Sequence, residues 1–384
     1  MQTLPEVFET APVVYAVRDR YVIIVPVKEE TLMWVKIGDE EFYDESNGIL
    51  RSATVTHKIE VPMEVLDSAK EYTVCFRKMI ERHSYFSKTG DEETYTVPFR
   101  PVTGDTVRIY HIADAHNRVT SPVNCAKYFG DALDVLLLNG DICENSGKEE
   151  GGLPMHRIAA GVTGGQIPVV FARGNHDTRG KFAERLAAHT PTDNGNSYFT
   201  VRLGKLWMMV LDCGEDKPDD HAEYGYTMCC HAFRSRESAF IRDVIRHADT
   251  EYNAPDVEYR IVMVHNPFVE THRPPFDIEI DTFTEWTTLL NESVKPDLMI
   301  AGHTHRCYIL HEGDERNHKG AKFPVVVGAQ PMKDKEVFLA TAVTCAPSGI
   351  EVRFTNERCE IEGGEDLPRV IHYRSLKGGS HHEP

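Results

Sequence analysis

From residue 107 onward, five short apolar runs end abruptly in aspartate, asparagine or histidine. Each run has the length and character of a buried strand, and each polar ending is where such a strand would turn. In open α/β sheets, ligand-binding groups collect at the carboxyl ends of the strands, so we expect these endings to meet. The runs and their endings are 107–113 with Asp114 and His116, 134–138 with Asn139 and Asp141, 168–172 with Asn175, His176 and Asp177, 260–264 with His265, and 297–300 with His303 and His305.

Residues 11–102 carry strand patterns separated by turn-rich pieces, without a convincing helix. Short strands at this spacing predict a small β-sandwich of the immunoglobulin or fibronectin III kind. Pro98, Pro101 and Gly104 mark a linker into the next part of the chain. We therefore predict an N-terminal β-sandwich domain at 1–104 and a second domain at 105–384. The predicted strands are 13–17, 21–27, 33–37, 49–61, 72–76 and 95–99.

After residue 105 the pattern changes to strands that alternate with helical stretches, which indicates an α/β layer architecture. The strand-rich end of the chain predicts a second sheet packed on the first, and the last residues, 378–384, have the composition of a disordered tail. Helices are predicted at 121–133, 179–189, 234–247 and 282–291, and further strands at 206–211, 325–327, 337–343 and 350–354.

The charge and composition of the chain limit the kinds of partner that we expect it to bind. The 384-residue chain has a formal charge of −18, which disfavours DNA or RNA as its main partner, although metal ions could create a positive site for a small phosphate. No apolar run reaches the length of ~18 residues that a transmembrane helix needs, and the first residues lack the regions of a signal peptide. The nine cysteines are scattered without a CxxC spacing, so we expect free thiols in a reducing compartment, the cytoplasm.

The polar endings offer carboxylate, imidazole and amide groups as ligands. A hydrolase of phosphate esters needs a nucleophile at neutral pH and a way to neutralise charge on the phosphoryl oxygens. Two divalent metals ~3.5–4 Å apart supply both. This ligand set suits Mn, Fe, Zn, Co or Ni, and the sequence does not choose among them. Cys143 and Cys307 lie near the endings, but the oxygen and nitrogen ligands are complete without them.

Five motifs stand at these endings in a fixed order: Asp114-x-His116, Gly140-Asp141, Gly174-Asn-His-Asp177, His265 and Gly302-His-Thr-His305. Together they resemble the ordered blocks of the calcineurin-like metallophosphoesterase superfamily. The resemblance implies a four-layer α/β/β/α sandwich with two divalent metal ions in the domain at 105–384. It assigns Asp114, His116 and His305 to the first metal, Asn175, His265 and His303 to the second, and Asp141 to a bridge between them.

The resemblance also implies in-line attack on phosphorus by a hydroxide that bridges the metals. His176 is outside the ligand set, and we expect it to contact the phosphoryl group and protonate the leaving oxygen. Asp177 would orient that imidazole or support the turn, with a helix N-cap as the alternative. Arg173 and Arg179 flank the block. Arg179, at a predicted helix start, is the preferred phosphate-binding residue beside Asn175, and a solvated charge is the alternative.

An N-terminal β-sandwich followed by these motifs resembles the purple acid phosphatases, with one departure. The second block of that family carries a tyrosine that ligates ferric iron, and Glu144 stands at its position here. Without the phenolate we expect an ordinary divalent site. Whether Glu144 faces a metal or is a solvated turn residue stays open at the level of sequence.

We therefore expect a dinuclear metal-dependent phosphoesterase that acts on a small phosphorylated substrate, with monoesters favoured. A phosphodiesterase of the cyclic-nucleotide or glycerophosphodiester type is one alternative, and a non-catalytic scaffold with this fold is another, although no ligand position is lost. The acidic charge disfavours a nuclease, and no membrane contact is expected. The N-terminal domain would form a wall of the cleft or the surface of a homodimer. The long acidic loop at 211–225 either sets specificity or is a solvated surface loop.

Overall fold

The structure is a computed structural model that describes residues 2–148, 152–328, 330–331, 337–363 and 371–373. The tail at 378–384, for which the sequence predicts disorder, lies outside the described residues. The predicted fold class is confirmed, because a strand-rich N-terminal region precedes two large sheets that pack face to face between helices. No helix in the described part of the chain is long and apolar enough to cross a membrane.

The N-terminal region is built around one strand of 18 residues, β2. Its first half pairs with β1 and β6, and its second half pairs with β3 and β7, after a shift in register between Pro26 and Thr31. The sequence predicts two strands here, whereas residues 28–30 continue one strand although they are exposed. The elements are β1 (Val13–Val17), β2 (Arg20–Ile37), β3 (Glu40–Tyr43), β4 (Glu45–Ser46), β5 (Leu50–Arg51), β6 (Thr54–Pro62), α1 (Met63–Ala69), β7 (Glu71–Glu81), β8 (Lys88–Thr89) and β9 (Glu93–Pro98).

Helix α1 corrects the expectation that this region holds no helix. Met63 and Leu66, three residues apart, bury the same side of a short helix against the strands. The helix ends at Lys70, whose backbone is left-handed and whose amide donates to the Leu66 carbonyl. Seven residues are too few for the apolar period to be recognised within a strand-like sequence.

The second region alternates strands and helices as its pattern predicts. Its elements are β10 (Val107–Ile112), α2 (Thr120–Cys125), β11 (Val135–Asn139), α3 (Leu153–Thr163), β12 (Val169–Ala172), β13 (Phe199–Leu203), β14 (Leu206–Leu211), α4 (Cys230–Arg246), β15 (Tyr259–Val264), α5 (Ile280–Leu289), β16 (Leu298–Ala301), β17 (Tyr308–Leu310), β18 (Val325–Val327), β19 (Gln330–Pro331), β20 (Phe338–Ala346), β21 (Gly349–Asn356), β22 (Ile361–Glu362) and β23 (Ile371–Tyr373).

Two of the predicted helices differ from the structure. Of the helix predicted at 121–133, only α2 is α-helical, and 3₁₀ turns with Gly130 at φ +52° complete the segment. The segment 179–189 forms a 3₁₀ turn, Ala183–Ala188, instead of an α-helix. Gly180 at φ +112° interrupts it, because that backbone conformation lies outside the helical region. Helix α3 is an element that the sequence analysis does not predict.

The first sheet places β10, β11 and β12 side by side and parallel. Beyond β10, β20 pairs antiparallel with β10, and β21 pairs antiparallel with β20. The second sheet runs β13-β14-β15-β16-β18-β17, and β14, β15, β16 and β18 are parallel. Parallel neighbours end at the same edge of their sheet. The polar endings of β10, β11 and β12 therefore face those of β15 and β16 across one edge of the sandwich.

Strand β14 shows how the layers are filled. Leu206, Met208 and Val210 join the core that lies between the two sheets. The alternate residues of the same strand pack on the other face with α4 and α5, through Ile241 and Trp286 among others. Both faces are buried, so the strand is apolar along its whole length.

The first sheet also continues into the N-terminal region. Strand β1 pairs in parallel with β12 through Tyr15 and Val169. Apolar side chains of both regions belong to one buried cluster, in which Val14 and Val170 are fully buried. The domain boundary at residue 104 stays a prediction.

Candidate metal centre

The side chains that the sequence predicts as ligands lie together at the carboxyl ends of β10, β11, β12, β15 and β16. They form three overlapping groups, and within each group the ligand atoms lie within 4.8 Å of one another. The amide oxygen of Asn175 joins them at 3.0 Å from His303 Nδ1. The groups are Asp114, His116 and His305; Asp141, His265 and His303; and His116, Asp141 and His176.

Five of these residues have a left-handed backbone, with φ of 51°, 44°, 50°, 71° and 53° for Asp114, His116, Asp141, His303 and His305. The left-handed helical conformation costs a residue other than glycine roughly 1 kcal/mol. Such strain persists where the surrounding structure over-determines it, and it clusters at functional sites. The strand ends are therefore shaped to turn these side chains toward one point.

Two motif glycines allow the strand ends to approach each other. A Cβ on Gly302 would lie 2.6 Å from the Ala113 side chain and 2.7 Å from Asp114 Oδ2. A Cβ on Gly174 would clash with the backbone nitrogen and carboxylate of Asp141. Any side chain at these positions would push a candidate ligand out of place.

His265 carries the clearest sign of a cation site. Its buried ring donates from Nδ1 to the Asn139 carbonyl at 2.6 Å, which leaves Nε2 as an acceptor. Nε2 has no hydrogen-bond partner, although it lies 3.2 Å from Asp141 Oδ2 and 3.8 Å from Asp114 Oδ1. Burial lowers the pKa of His265, but the carboxylates of Asp141 and Asp114 outweigh it and raise the pKa to about 10. The neutral ring thus offers Nε2 to a cation, and a metal ion would displace the proton that the raised pKa favours there in the metal-free protein.

In the second group, imidazole nitrogens again lie close to each other and to a carboxylate. The Nε2 atoms of His116 and His305 lie 3.0 Å apart, and His305 Nε2 lies 3.4 Å from Asp114 Oδ1. The hydrogen bond to Asp114 raises the pKa of His305, whereas burial lowers the pKa of His116. Glu144 answers the question left open by the sequence, because its carboxylate accepts from His116 Nδ1 at 3.0 Å. This hydrogen bond engages Nδ1 of the candidate ligand His116 and so fixes the tautomer of its imidazole.

The amide of Asn175 also faces acceptors. Its oxygen lies among acceptor atoms and its nitrogen among donors, and exchanging the two would let the nitrogen donate to Asp141 and His303. A cation between these groups favours the orientation with the oxygen turned inward, since the amide oxygen is then a ligand. Asn175, His265 and His303 thus present one oxygen and two nitrogens around Asp141.

Asn139 is a residue that the sequence places at a strand end without a role. Its side-chain nitrogen lies 3.1 Å from the Val264 carbonyl and 3.2 Å from the Ile300 carbonyl, in the opposite sheet. It also lies 3.0 Å from Nε2 of His111, whose pKa burial lowers to about 3. A buried side-chain amide needs hydrogen-bond partners, so an asparagine between two apolar sheets indicates a link between those sheets. Asn139 therefore ties together the strands that carry both halves of the centre.

His176 lies at the rim with a quarter of its side chain exposed, beside His116 at 4.7 Å between ring centres. Its Nδ1 donates to the Glu144 carbonyl at 2.8 Å, and its Nε2 accepts from Arg179 Nη1 at 3.0 Å. The Glu144 carbonyl, rather than Asp177, therefore orients this ring.

Asp177 is buried behind the turn. Its Oδ2 accepts from the backbone amides of Gly174 at 2.8 Å and Asp141 at 3.2 Å. Burial and the neighbouring Asp141 carboxylate raise the pKa of Asp177 to about 7. These bonds favour the role of supporting the turn over that of orienting His176. The N-cap alternative has no α-helix to cap, since a 3₁₀ turn, His176–Thr178, leads into an extended Arg179.

Both flanking arginines are held by carboxylates from the loop at 211–225. Glu215, fully buried, accepts from Arg179 Nε and Nη2 at 2.8 Å each. Asp212 accepts from Arg173 Nε at 2.7 Å. The first part of the loop, 211–215, is therefore buried against the centre, whereas most residues of 218–225 are exposed. The sequence signal was present, because Asp212 directly follows the apolar strand β14 just as the candidate ligands follow theirs.

Comparison with known proteins agrees with this geometry. Residues 107–307 match the sequence model of the family described as calcineurin-like phosphoesterase. No protein of curated function matches significantly. The structure is similar to that of the purple acid phosphatase PPD1 from seeds of yellow lupin (Lupinus luteus), with a TM-score of 0.57 and 11% identity over 96% of this chain and 75% of that one. It is also similar to PhoD, with a TM-score of 0.53 and 11% identity over 98% of this chain and 94% of that one.

At such low identity these two structures establish the fold alone. Each match extends over almost the whole chain, so the similarity includes the N-terminal strands as well as the two large sheets. The predicted combination of these motifs with a purple-acid-phosphatase-like architecture is confirmed.

Proposed function

We propose that this chain, which belongs to the calcineurin-like phosphoesterase family through its residues 107–307, is a dinuclear metal-dependent hydrolase of small phosphate monoesters. Phosphoester hydrolysis is the chemistry of the family, and the two metals and the monoester are our proposal. One observation carries it. All seven candidate ligands converge with none replaced, and the buried Nε2 of His265 faces the Asp141 carboxylate without a hydrogen-bond partner.

The proposed ligand sets follow the contacts. Asp114, His116 and His305 would hold one metal, and Asn175, His265 and His303 the other. Asp141 belongs to groups on both sides, which supports its role as the bridge. Two divalent cations held there would neutralise charge on the phosphoryl oxygens and lower the pKa of bound water. The mixture of oxygen and nitrogen ligands suits Mn, Fe, Zn, Co or Ni.

His176 is the proposed donor of a proton to the leaving oxygen. The Glu144 carbonyl engages Nδ1, so Nε2 is the nitrogen that would carry the proton, in place of the hydrogen bond that it accepts from Arg179. Arg179 is fixed by Glu215 through Nε and one N–H of Nη2, and protonation of His176 would free Nη1, so Nη1 and Nη2 would both have a donor available. A phosphoryl oxygen beside His176 would accept from these two donors.

The surroundings support a phosphate with one substituent. On the side of the centre where Arg173 and Arg179 lie, the space is occupied by Asp212 and Glu215, which bind the two arginines. On the other side, an open cavity of about 420 Å³ is lined by His303 and Asp216. One organic substituent could enter that cavity while the phosphoryl group contacts the centre.

The test uses protein stripped of metal and reloaded with Mn. We expect faster hydrolysis of p-nitrophenyl phosphate than of bis-p-nitrophenyl phosphate, and none by an Asp141→Asn variant treated in the same way. Preference for the diester would replace the proposal with a phosphodiesterase. Absence of turnover with Mn, Fe, Zn, Co and Ni would favour the scaffold alternative.

A further inference from the structure

The open cavity beside His303 combines charge and aromatic surface. Arg306, directly after the last histidine of the centre, and Arg316 contribute guanidinium groups to its lining. Phe276, which is 41% exposed, and Tyr308 contribute aromatic rings. The Arg316 guanidinium lies 3.8 Å from the centre of the Tyr308 ring. The cavity therefore offers an apolar surface next to two cations.

Neither guanidinium has a carboxylate partner within the described part of the chain. The two acids that line the same cavity are already engaged. Glu270 accepts from the Tyr308 hydroxyl, and Asp216 pairs with Lys217 at 3.2 Å. Among the described residues, Arg306 and Arg316 thus form no ion pair with a carboxylate, in a chain of formal charge −18. Arg173 and Arg179, in contrast, are both committed to buried acids.

We propose that this cavity binds the leaving group of the substrate, and that the leaving group carries a second anionic group, a carboxylate or a phosphate, which Arg306 and Arg316 receive. This inference rests on the proposed function. The apolar part of the leaving group lies against Phe276 and Tyr308, while the scissile phosphate sits at the metal centre. The two arginines determine specificity and take no part in bond cleavage.

The experiment compares four substrates that share a phenyl leaving group. These are phenyl phosphate, 3-carbamoylphenyl phosphate, 3-carboxyphenyl phosphate and 1,3-phenylene bisphosphate. We expect kcat/KM for the Mn-loaded enzyme to be about 10-fold higher for the two anionic substrates than for the carbamoyl one, since charged hydrogen bonds at a partly exposed site contribute at this scale. The larger of the two gains identifies carboxylate or phosphate as the natural group.

The Arg306→Gln and Arg316→Gln double variant should lose this preference, so that its kcat/KM for the two anionic substrates falls to the value for the carbamoyl one. Arg202→Gln, an exposed arginine on β13, is the matched control and should keep the preference. Retention of the preference by the double variant would overturn the assignment of the two arginines. Equal rates for all four substrates in the wild type would overturn the inference and leave the proposed function standing.

A binding measurement separates recognition from turnover. Titration calorimetry with phenylphosphonate and 3-carboxyphenylphosphonate should show about 10-fold tighter binding of the carboxylated compound, and 0.5 M NaCl should reduce the difference. The double variant should bind both equally. Failure of every substrate to turn over, with the phosphonate preference intact, would contradict the proposed function and keep the anion site.

Discussion

The two sides of the metal centre use arginine differently. On one side, Arg173 and Arg179 are fixed by Asp212 and Glu215, which approach from the loop after β14. On the other side, Arg306 and Arg316 line an open cavity without carboxylate partners in the described residues. The first arrangement is rigid and suits a group that must meet the phosphoryl oxygens in one geometry. The second leaves charge available for a group that arrives with the substrate.

Both pairs of arginines flank one metal centre. The largest effect is therefore expected from changing Asp141, the residue proposed to bridge its two metals. Asp141→Asn should reduce turnover of p-nitrophenyl phosphate by at least ~10³-fold, because the metal clamp contributes several kcal/mol to the transition state. Metal analysis of the purified variant should show loss of bound ions. Full metal content with wild-type activity would contradict a shared centre.

A smaller loss is expected at the rigid side. His176→Ala should keep its metals but slow turnover by ~10²–10⁴-fold if the imidazole acts as the general acid. The slowing should be weaker for p-nitrophenyl phosphate than for phenyl phosphate, since the better leaving group needs less protonation. Loss of the metals, or unchanged rates, would refute the role.

Stability should separate the two sides directly. Glu215→Gln removes a buried partner of Arg179 and should lower the free energy of unfolding by about 1–3 kcal/mol. Arg306→Gln should change the free energy of unfolding by no more than ~0.5 kcal/mol, because Arg306 is exposed and has no ion-pair partner among the described residues. Urea unfolding of both variants measures the difference. Equal losses would show that the two arginine pairs are alike.

The smallest effect is expected from a change at Glu144, which accepts the hydrogen bond from His116 Nδ1. Glu144→Gln keeps the shape of the side chain but weakens the acceptor of the His116 Nδ1 proton. Metal affinity should fall by roughly 10-fold, which is the lower end of what such supporting residues contribute. Titration of the metal-free protein with Mn tests this. An unchanged affinity would return Glu144 to the role of a solvated turn residue.

The sequence predicts the candidate ligands because each follows an apolar run, and the carboxyl ends of parallel strands meet. It does not predict how those strand ends are bent. Nothing in the identities of His303 and His305 indicates that both have a left-handed backbone. The partners of Arg179 are equally hidden, since Glu215 lies in an acidic loop for which the sequence leaves open both a role in specificity and a solvated surface. Side-chain pairing between distant segments depends on the tertiary fold, which local pattern does not encode.

The parallel pairing of β1 with β12 has a consequence for dissecting the protein. Asn175 follows β12, so an N-terminal strand lies along the outer side of the strand that delivers a candidate ligand. A fragment beginning at residue 105 would leave the β12 edge unpaired, and exposed edges of apolar strands recruit other chains. Such a fragment is expected to aggregate rather than to yield a smaller active enzyme. In the intact protein, strand β1 of the N-terminal region covers this edge of the sheet that carries the candidate ligands.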